Sequence, residues 1–407
     1  MKKIMILGAG VYQVPLILEA KKKGYYTIVV SYQGHYPGFK LADKCYYLNT
    51  TDAEAVLEAA RKEQIDGICT TGTDVAMYTV GYVCRKLHLN GIPCEAALTV
   101  TDKCRMKEAF ARGGVSSAKF YKTYSLSEAQ QVFAQMQAQG AKAAMVKAVD
   151  SSGSRGITKI MDVEELECAY FEAQKVTRQP YILLEEFVEG HEIGVDGFVS
   201  GGEIVLMLPH EKFVLRTGGT TIPAGHGFPL SCEPKLYTEI CRQMELAVRA
   251  TGLDNCAFNA DVLVSGEQAW ILEIGGRAGA TGIPELISIY SGFSFYEKIL
   301  ENALGCAPDF TAKGQTPCMS RLLFSPINGM VTAIDEAGLA KMRRDGMEIS
   351  LDYLVGEEVR QVQNGSDRIG QLVMRTKCAD ELEKMCSRIY EKIFVSGQSL
   401  HALWKKK

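Results

Sequence analysis

The residues best suited to chemistry fall in a few short stretches. Val146-Lys147-Ala148 sets a lysine at a strand end, just ahead of Asp150-Ser151-Ser152-Gly153-Ser154-Arg155-Gly156. Small residues let backbone N–H groups wrap phosphate oxygens, and the lysine adds positive charge. A solvated hairpin turn accounts for the same residues equally well. The loop is not the Walker pattern, which needs GxxxxGK(S/T) ahead of a helix. Further on, Asn259-Ala260-Asp261 lies on one strand and Glu273 on its hairpin partner, followed by Gly275-Gly276-Arg277. Two carboxylates on paired strands can point to one side and hold Mg²⁺ against phosphate oxygens. Arg277, four residues past Glu273, can neutralise a transferring phosphoryl group. An exposed ion pair is the competing reading. Trp270-Ile271-Leu272 marks a deeply buried strand, however, and a buried carboxylate without a partner is costly, which favours the metal.

Two other stretches say less by themselves. Leu184-Glu185-Glu186-Phe187-Val188-Glu189-Gly190-His191-Glu192 runs from an apolar strand into acidic residues and reads as a charged strand exit. Gly8-Ala9-Gly10-Val11-Tyr12-Gln13 follows a strand and opens a helix, the context of a dinucleotide fingerprint. Gln13 stands where glycine or alanine is wanted, and Val29-Val30-Ser31 lacks the expected ribose-binding acid. A tight turn beneath a helix N-terminus fits better than NAD.

The elements that must carry these residues follow from periodicity. Strands at Lys3–Leu7, Tyr26–Val30 and Gly67–Thr70 alternate with helices at Val14–Lys23, Ala53–Lys62 and Val75–Leu87. That rhythm predicts an open parallel α/β domain up to about residue 100. A helix from Asp102 to Arg112 follows. Next come an extended Lys119–Thr123, a helix capped by Ser127 and running to Gln139, and a strand Ala143–Ala148. Strand Thr158–Met161, helix Val163–Lys175 and strand Tyr181–Glu186 complete a small α+β unit. Antiparallel strands are expected at Ile193–Val199, Glu203–Leu208, Ala257–Val264 and Ala269–Ile274, around a helix Pro234–Thr251. The tail carries strands Ser320–Phe324 and Gln371–Thr376, a turn at Asn364-Gly365 and a closing helix Asp380–Phe394, a third α+β domain.

The chain has 407 residues, enough for two or three domains with cores of their own. Hydrophobic residues make up 47 % and charged residues 23 %, as in an ordinary folded enzyme, which excludes collagen-like and disordered classes. Lys and Arg number 45 against 48 Asp and Glu, so no nucleic-acid partner is expected. The 13 cysteines include no CxxC pair, which argues against a zinc ribbon and a disulfide framework and for buried thiols in a reducing cytoplasm. The N-terminal apolar run reads as a strand, not a signal peptide, and no stretch has the ~18 apolar residues of a membrane span.

In order and spacing these stretches resemble the ATP-grasp ligases. The nearest branch holds the carbamoyl phosphate synthetase large subunit, biotin carboxylase and the L-amino acid ligases. The resemblance runs from Met1 to about Gly305. It rests on Thr101-Asp102-Lys103, Val146-Lys147-Ala148 with its loop, Glu185 to Glu192, and Leu272-Glu273-Ile274-Gly275-Gly276-Arg277. It implies three parts: an open parallel α/β domain at 1–100, an ATP-grasp domain at 101–305 with a lid at about 115–190, and a small C-terminal α+β domain at 306–407. It also implies roles. Lys103 and Lys147 contact ATP phosphates, and Ser151, Ser152, Gly153 and Ser154 belong to the lid loop over them. Glu186 and the backbone at Val188 form the adenine hinge with Glu185 beside them, and Glu192 holds the ribose. Asp261 and Glu273 bind Mg²⁺ or Mn²⁺, and Arg277 faces the transferring phosphoryl group. This chain departs from the pattern at Gly275, where the family usually carries a metal-binding Asn, and in the two serines before Gly153.

The expected activity is ATP-dependent joining of a small-molecule carboxylate to an amine through an acyl phosphate, releasing ADP and phosphate, as in an amino acid or peptide ligase. Arg216, in Lys212-Phe213-Val214-Leu215-Arg216-Thr217-Gly218-Gly219, is a candidate clamp for the substrate carboxylate; a surface arginine in a glycine-rich loop is the equal alternative. A silent ATP-binding protein and a NAD(P)-dependent dehydrogenase are the competing functions. The resemblance further suggests a homodimer, and the scattered cysteines and the lack of a long apolar stretch suggest a cytoplasmic protein with no membrane partner.

Overall fold

The computed structural model describes residues 1–151, 153, 155–217 and 220–406. The chain packs as two units. The first comprises Met1–Pro209, Cys232–Ala278 and Tyr296–Asp309; the second comprises His210–Ser231, Gly279–Phe295 and Phe310–Lys407. The three-part division at about 100 and 305 stands as a proposal beside these units, whose bounds cut across the expected 101–305 domain.

The first unit opens with β1 (Lys3–Leu7), α1 (Val14–Lys22), β2 (Tyr26–Ser31), β3 (Lys44–Tyr47), α2 (Ala53–Glu63) and β4 (Gly67–Cys69). The strands form a parallel sheet in the order β3-β2-β1-β4. β1 and β2 are buried almost throughout, as strands covered on both faces must be. Helices α3 (Met77–Leu87) and α4 (Cys94–Val100) follow. β3 and α4 have no counterpart in the sequence reading. β3 is a half-buried edge strand of four residues, and α4 is two turns behind Pro93, so both are too short for their periodicity to stand out from the flanking residues.

Helix α5 (Lys103–Gly113) leads into β5 (Phe120–Thr123), α6 (Leu126–Ala138), β6 (Ala144–Lys147), β7 (Ile157–Ile160), α7 (Val163–Val176) and β8 (Ile182–Glu186). These four strands form a sheet in the order β5-β8-β6-β7. Phe133, Val146, Leu166 and Leu184 are among the residues of the core it shares with the two helices. The cap of α6 is Ser125, two residues before the expected Ser127. The Ser125 hydroxyl accepts the Glu128 N–H at 3.2 Å, while Glu128 Oε2 accepts the Tyr124 N–H at 2.7 Å.

The remaining strands of this unit are antiparallel: β9 (His191–Ser200), the start of β10 (Glu203–Thr217), then, after β11 (Thr220–Phe228) and α8 (Pro234–Thr251), β12 (Cys256–Ser265) and β13 (Gln268–Gly275). β12 and β13 turn through Gly266-Glu267 alone, and Gly266 has φ +59°, the conformation such a two-residue turn demands.

In the second unit the rest of β10 pairs with β11. Arg216 is therefore on a strand, opposite Thr221, and not in a loop; Gly218 and Gly219 lie outside the described residues. Residues 213–217 pair antiparallel with residues 220–225, with a register shift between Phe213 and Val214. After α9 (Ile283–Ser291), and after α10 (Phe295–Ala303), which past Phe295 belongs to the first unit, β14 (Cys318–Phe324) pairs with β11 and with β18 (Arg368–Met374). Between them lie β15 (Gly329–Ile334), α11 (Glu336–Arg344), β16 (Glu348–Leu351) and β17 (Glu358–Val359). The closing helix α12 (Ala379–Tyr390) stops short of Phe394, which sits in β19 (Ile393–Val395), ahead of β20 (Gln398–Ser399) and α13 (Leu400–Trp404). Leu339, Leu372, Leu382, Ile389 and Leu400 centre the core of this unit.

All thirteen cysteines are free thiols, seven of them buried. Among the described residues no helix is long and apolar enough to cross a membrane.

Candidate active site

Asp102 begins the site. Its Oδ1 accepts the N–H groups of Cys104 (2.9 Å) and Arg105 (3.1 Å), and its Oδ2 accepts the Tyr181 hydroxyl at 2.5 Å. This N-cap fixes where α5 starts and so aims Lys103 and Lys107, which lie on one helix face. Lys103 Nζ donates to the Ser151 carbonyl at 2.8 Å and pairs with Glu273 Oε2 at 3.2 Å. One lysine thus touches both the Ser/Gly loop and β13. Burial alone would lower its pKa, but Glu273 reverses this and holds it above the ordinary lysine value.

Lys107, one turn on, is fully buried. It donates to Ser117 Oγ at 2.5 Å and to Glu185. Glu185 is also fully buried and accepts from Lys147 with its other oxygen. Burial pushes the Glu185 carboxyl up, but the two ammonium groups outweigh it and hold the carboxyl below the usual range. Glu185 therefore serves to fix two lysines. Glu186 is half-buried at the end of β8, its N–H donating to the Lys119 carbonyl at 2.9 Å, and Val188 lies in the short turn before β9.

On the antiparallel strands, register sets Asp261 opposite Glu273 and Asn259 opposite Gly275. β9 adds Asp196 beside Asn259 and Glu192 beside Leu263. Alternation places Glu192, Asp196, Asn259 and Asp261 on one face. Asn259 Nδ2 donates to Asp196 Oδ2 at 2.8 Å, and Arg277 Nη1 donates to Asn259 Oδ1 at 2.8 Å. Arg277 Nη2 donates to Asp74 Oδ2 at 2.8 Å, and its Nε is buried without a partner. A Cβ on Gly275 would lie 2.9 Å from Asp74 Oδ1. The space that a side chain at 275 would need is occupied by the Asp74 carboxylate.

One cavity is lined by Asp74, Lys103, Ser151, Asn259, Glu273 and Arg277, so four of the anticipated residues meet there. Lys147 and Glu185 hold each other instead. Ser151 is buried and its hydroxyl donates to the Arg155 carbonyl at 2.7 Å; Gly153 is exposed at φ +67°. Ser152 and Ser154 lie outside the described residues. Arg216 is exposed in the second unit. Asp74, Lys107 and Asp196 were missed. Lys107 had a signal in its i+4 spacing from Lys103; Asp74, in a bend of the chain ahead of α3, had none.

The N-terminal glycine turn is capped from within. The Gly10 N–H donates to Gln13 Oε1 at 2.9 Å, and Gln13 Nε2 donates to the Thr71 carbonyl at 2.5 Å. The donor that a pyrophosphate would use is already engaged.

Among the described residues no three His, Cys, Asp or Glu side chains gather closely enough to hold an ion. Mg²⁺ is usually bound by one or two carboxylates together with substrate phosphates, and the Asp261–Glu273 pair fits that arrangement.

Known proteins match this architecture. The model for the ATP-grasp (A) domain of phosphoribosylglycinamide synthetase matches residues 101–243. Alanine–anticapsin ligase from Bacillus amyloliquefaciens is 24 % identical over 261 residues, 58 % of this chain and 54 % of that protein, so the match spans about half the length of that relative. A phosphoribosylglycinamide synthetase structure from Anaerococcus prevotii superposes with a TM-score of 0.79 at 26 % identity, covering 97 % of this chain and 99 % of that one. An L-amino acid ligase structure from Bacillus licheniformis gives 0.79 at 17 %, covering 98 % and 99 %. The chain has the ATP-grasp fold, and its residues 101–243 match an ATP-grasp domain.

Proposed function

We propose that this protein is an ATP-dependent carboxylate–amine ligase that works through an acyl phosphate and releases ADP and phosphate. The observation that carries the reading is Lys103, which bridges the Ser151 carbonyl and Glu273 within the cavity that Arg277 also lines. Phosphoryl transfer asks for positioning and charge neutralisation and needs no covalent protein nucleophile. Lys103 and Lys147 neutralise the phosphates, and Glu185 with Lys107 keeps Lys147 in place. Asp261 and Glu273 are the residues that would hold Mg²⁺, which supplies Lewis-acid charge at the phosphoryl oxygens. Arg277, anchored on Asp74 and Asn259, stabilises charge that builds in the transition state. Ser151, buried beside Lys103, helps keep water from the acyl phosphate. Glu186, the backbone at Val188 and Glu192 take the nucleoside, and Arg216 remains a proposed substrate contact.

A second reading, an ATP-binding protein without turnover, rests on Gly275, which cannot supply the usual metal ligand. Release of phosphate stimulated by an acid and an amine, across a panel of amino acids and small carboxylates, separates the two. No stimulation by any pair would overturn the ligase reading.

A further inference from the structure

A second cavity, of about 410 Å³, adjoins the first and shares Val75, Thr101, Asp150 and Ser151 with it. Its walls come from α3, α4, the first turn of α5 and the segment after α7. Three groups set its chemistry. Thr79 is fully buried, and its hydroxyl has no hydrogen-bond partner. Thr79 lies in the first turn of α3, and a buried unmet hydroxyl is costly. Arg105 and Arg178 line the same cavity with exposed side chains, and neither guanidinium has a carboxylate partner among the described residues. The acids in the wall are engaged elsewhere. Asp102 caps α5 and accepts from Tyr181, and Asp150 accepts from Thr177 Oγ1 at 2.7 Å and from the Arg178 N–H at 3.2 Å. The wall therefore offers two guanidinium forks and an unused hydroxyl to one anion.

We infer that this cavity is the acid-substrate site, and that the substrate carries a second anionic group, a carboxylate or a phosphate ester, held by Arg105 and Arg178 with Thr79 hydrogen-bonding beside it. The inference rests on the ligase reading. Guanidinium suits both oxyanions because its planar donors match their oxygens in pairs. With the distal anion here, the reacting carboxylate points across the shared wall toward Lys103 and Arg277. The volume lies in the range of small-molecule sites, roughly 300–1,000 Å³, and accommodates a short diacid.

The test compares glutarate and 3-phosphoglycerate with uncharged-tail pentanoate as acids in the phosphate-release assay. At least one of these two acids should be used with kcat/KM at least about tenfold above pentanoate, and which one it is distinguishes carboxylate from phosphate. Arg105→Ala and Arg178→Ala should each raise KM for that acid roughly 10–100-fold, with KM for ATP unchanged. Thr79→Val should raise it by a smaller factor. Equal use of pentanoate, or KM values within about twofold of wild type in both arginine variants, would overturn the inference. If no acid is turned over, the ligase reading fails, and the site is then judged by calorimetry. Binding of glutarate or 3-phosphoglycerate that is lost in the arginine variants upholds it; no binding, or binding the variants retain, refutes it.

Discussion

Asp74 and Arg277 lie 203 residues apart and meet at 2.8 Å, and they can do so because residue 275 has no side chain. A departure from the family pattern at Gly275 is thereby matched by a carboxylate delivered from a different part of the chain. The same carboxylate reaches over Gly275 and holds the guanidinium from one side, while Asn259 holds it from another.

Asp74 is accordingly a positioning residue for Arg277. Asp74→Asn should lower kcat roughly 10–100-fold, the scale seen when a group that orients a charged ligand is lost. KM for ATP should change little. Gly275→Ala should produce a similar loss by displacing Asp74, and the two substitutions together should cost little more than either alone, since both break one contact. Steady-state kinetics on the two variants and the double variant checks this. Additive losses would mean that residue 275 acts independently of Asp74.

Glu273→Gln should abolish turnover and leave the thermal midpoint nearly unchanged. The Glu273 side chain is 46 % exposed, not buried as the apolar residues before it suggested, because only alternate residues of β13 face inward. Its pair with Lys103 therefore contributes little to stability. The substitution keeps the size but removes the charge that a hard cation needs. Turnover near the wild-type rate would remove Glu273 from the metal site.

Glu185 predicts an acid limb in stability. Its folded pKa is held below its unfolded value of about 4.3. The stability it contributes is thus complete above that value and is lost as pH falls through the folded pKa. Glu185→Gln should flatten this limb in urea melts and cost about 3–5 kcal/mol near neutral pH, because two lysine charges stay buried without their partner. Lys147→Ala should do the opposite. Glu185 keeps Lys107, so stability should change less, while affinity for a non-hydrolysable ATP analogue falls.

Much of this was legible in the sequence where a signal is local. The alternation of buried strands with amphipathic helices marks the parallel sheet, and a hairpin turn at Gly266-Glu267 brings Asp261 opposite Glu273 within thirteen residues. Asp102 before Lys103 reads as a helix start and is one. What was not legible depends on distant contacts. Nothing near Asp74 points to Arg277, and nothing near Glu185 shows that both its oxygens are taken by lysines 78 and 38 residues away. The family pattern suggested an adenine-side role for Glu185, whereas packing turns it toward Lys107 and Lys147. The strand carrying Arg216 was hidden by the glycines that follow it.

The central claim is that the acid is activated as an acyl phosphate. It is tested most directly with substrate whose carboxylate is labelled with ¹⁸O. In-line transfer of the γ-phosphoryl group to that carboxylate, followed by amine attack at the acyl carbon, leaves one carboxylate oxygen on phosphate. Mass spectrometry of the products should therefore find labelled inorganic phosphate together with ADP. Unlabelled phosphate, or AMP with pyrophosphate, would contradict the account.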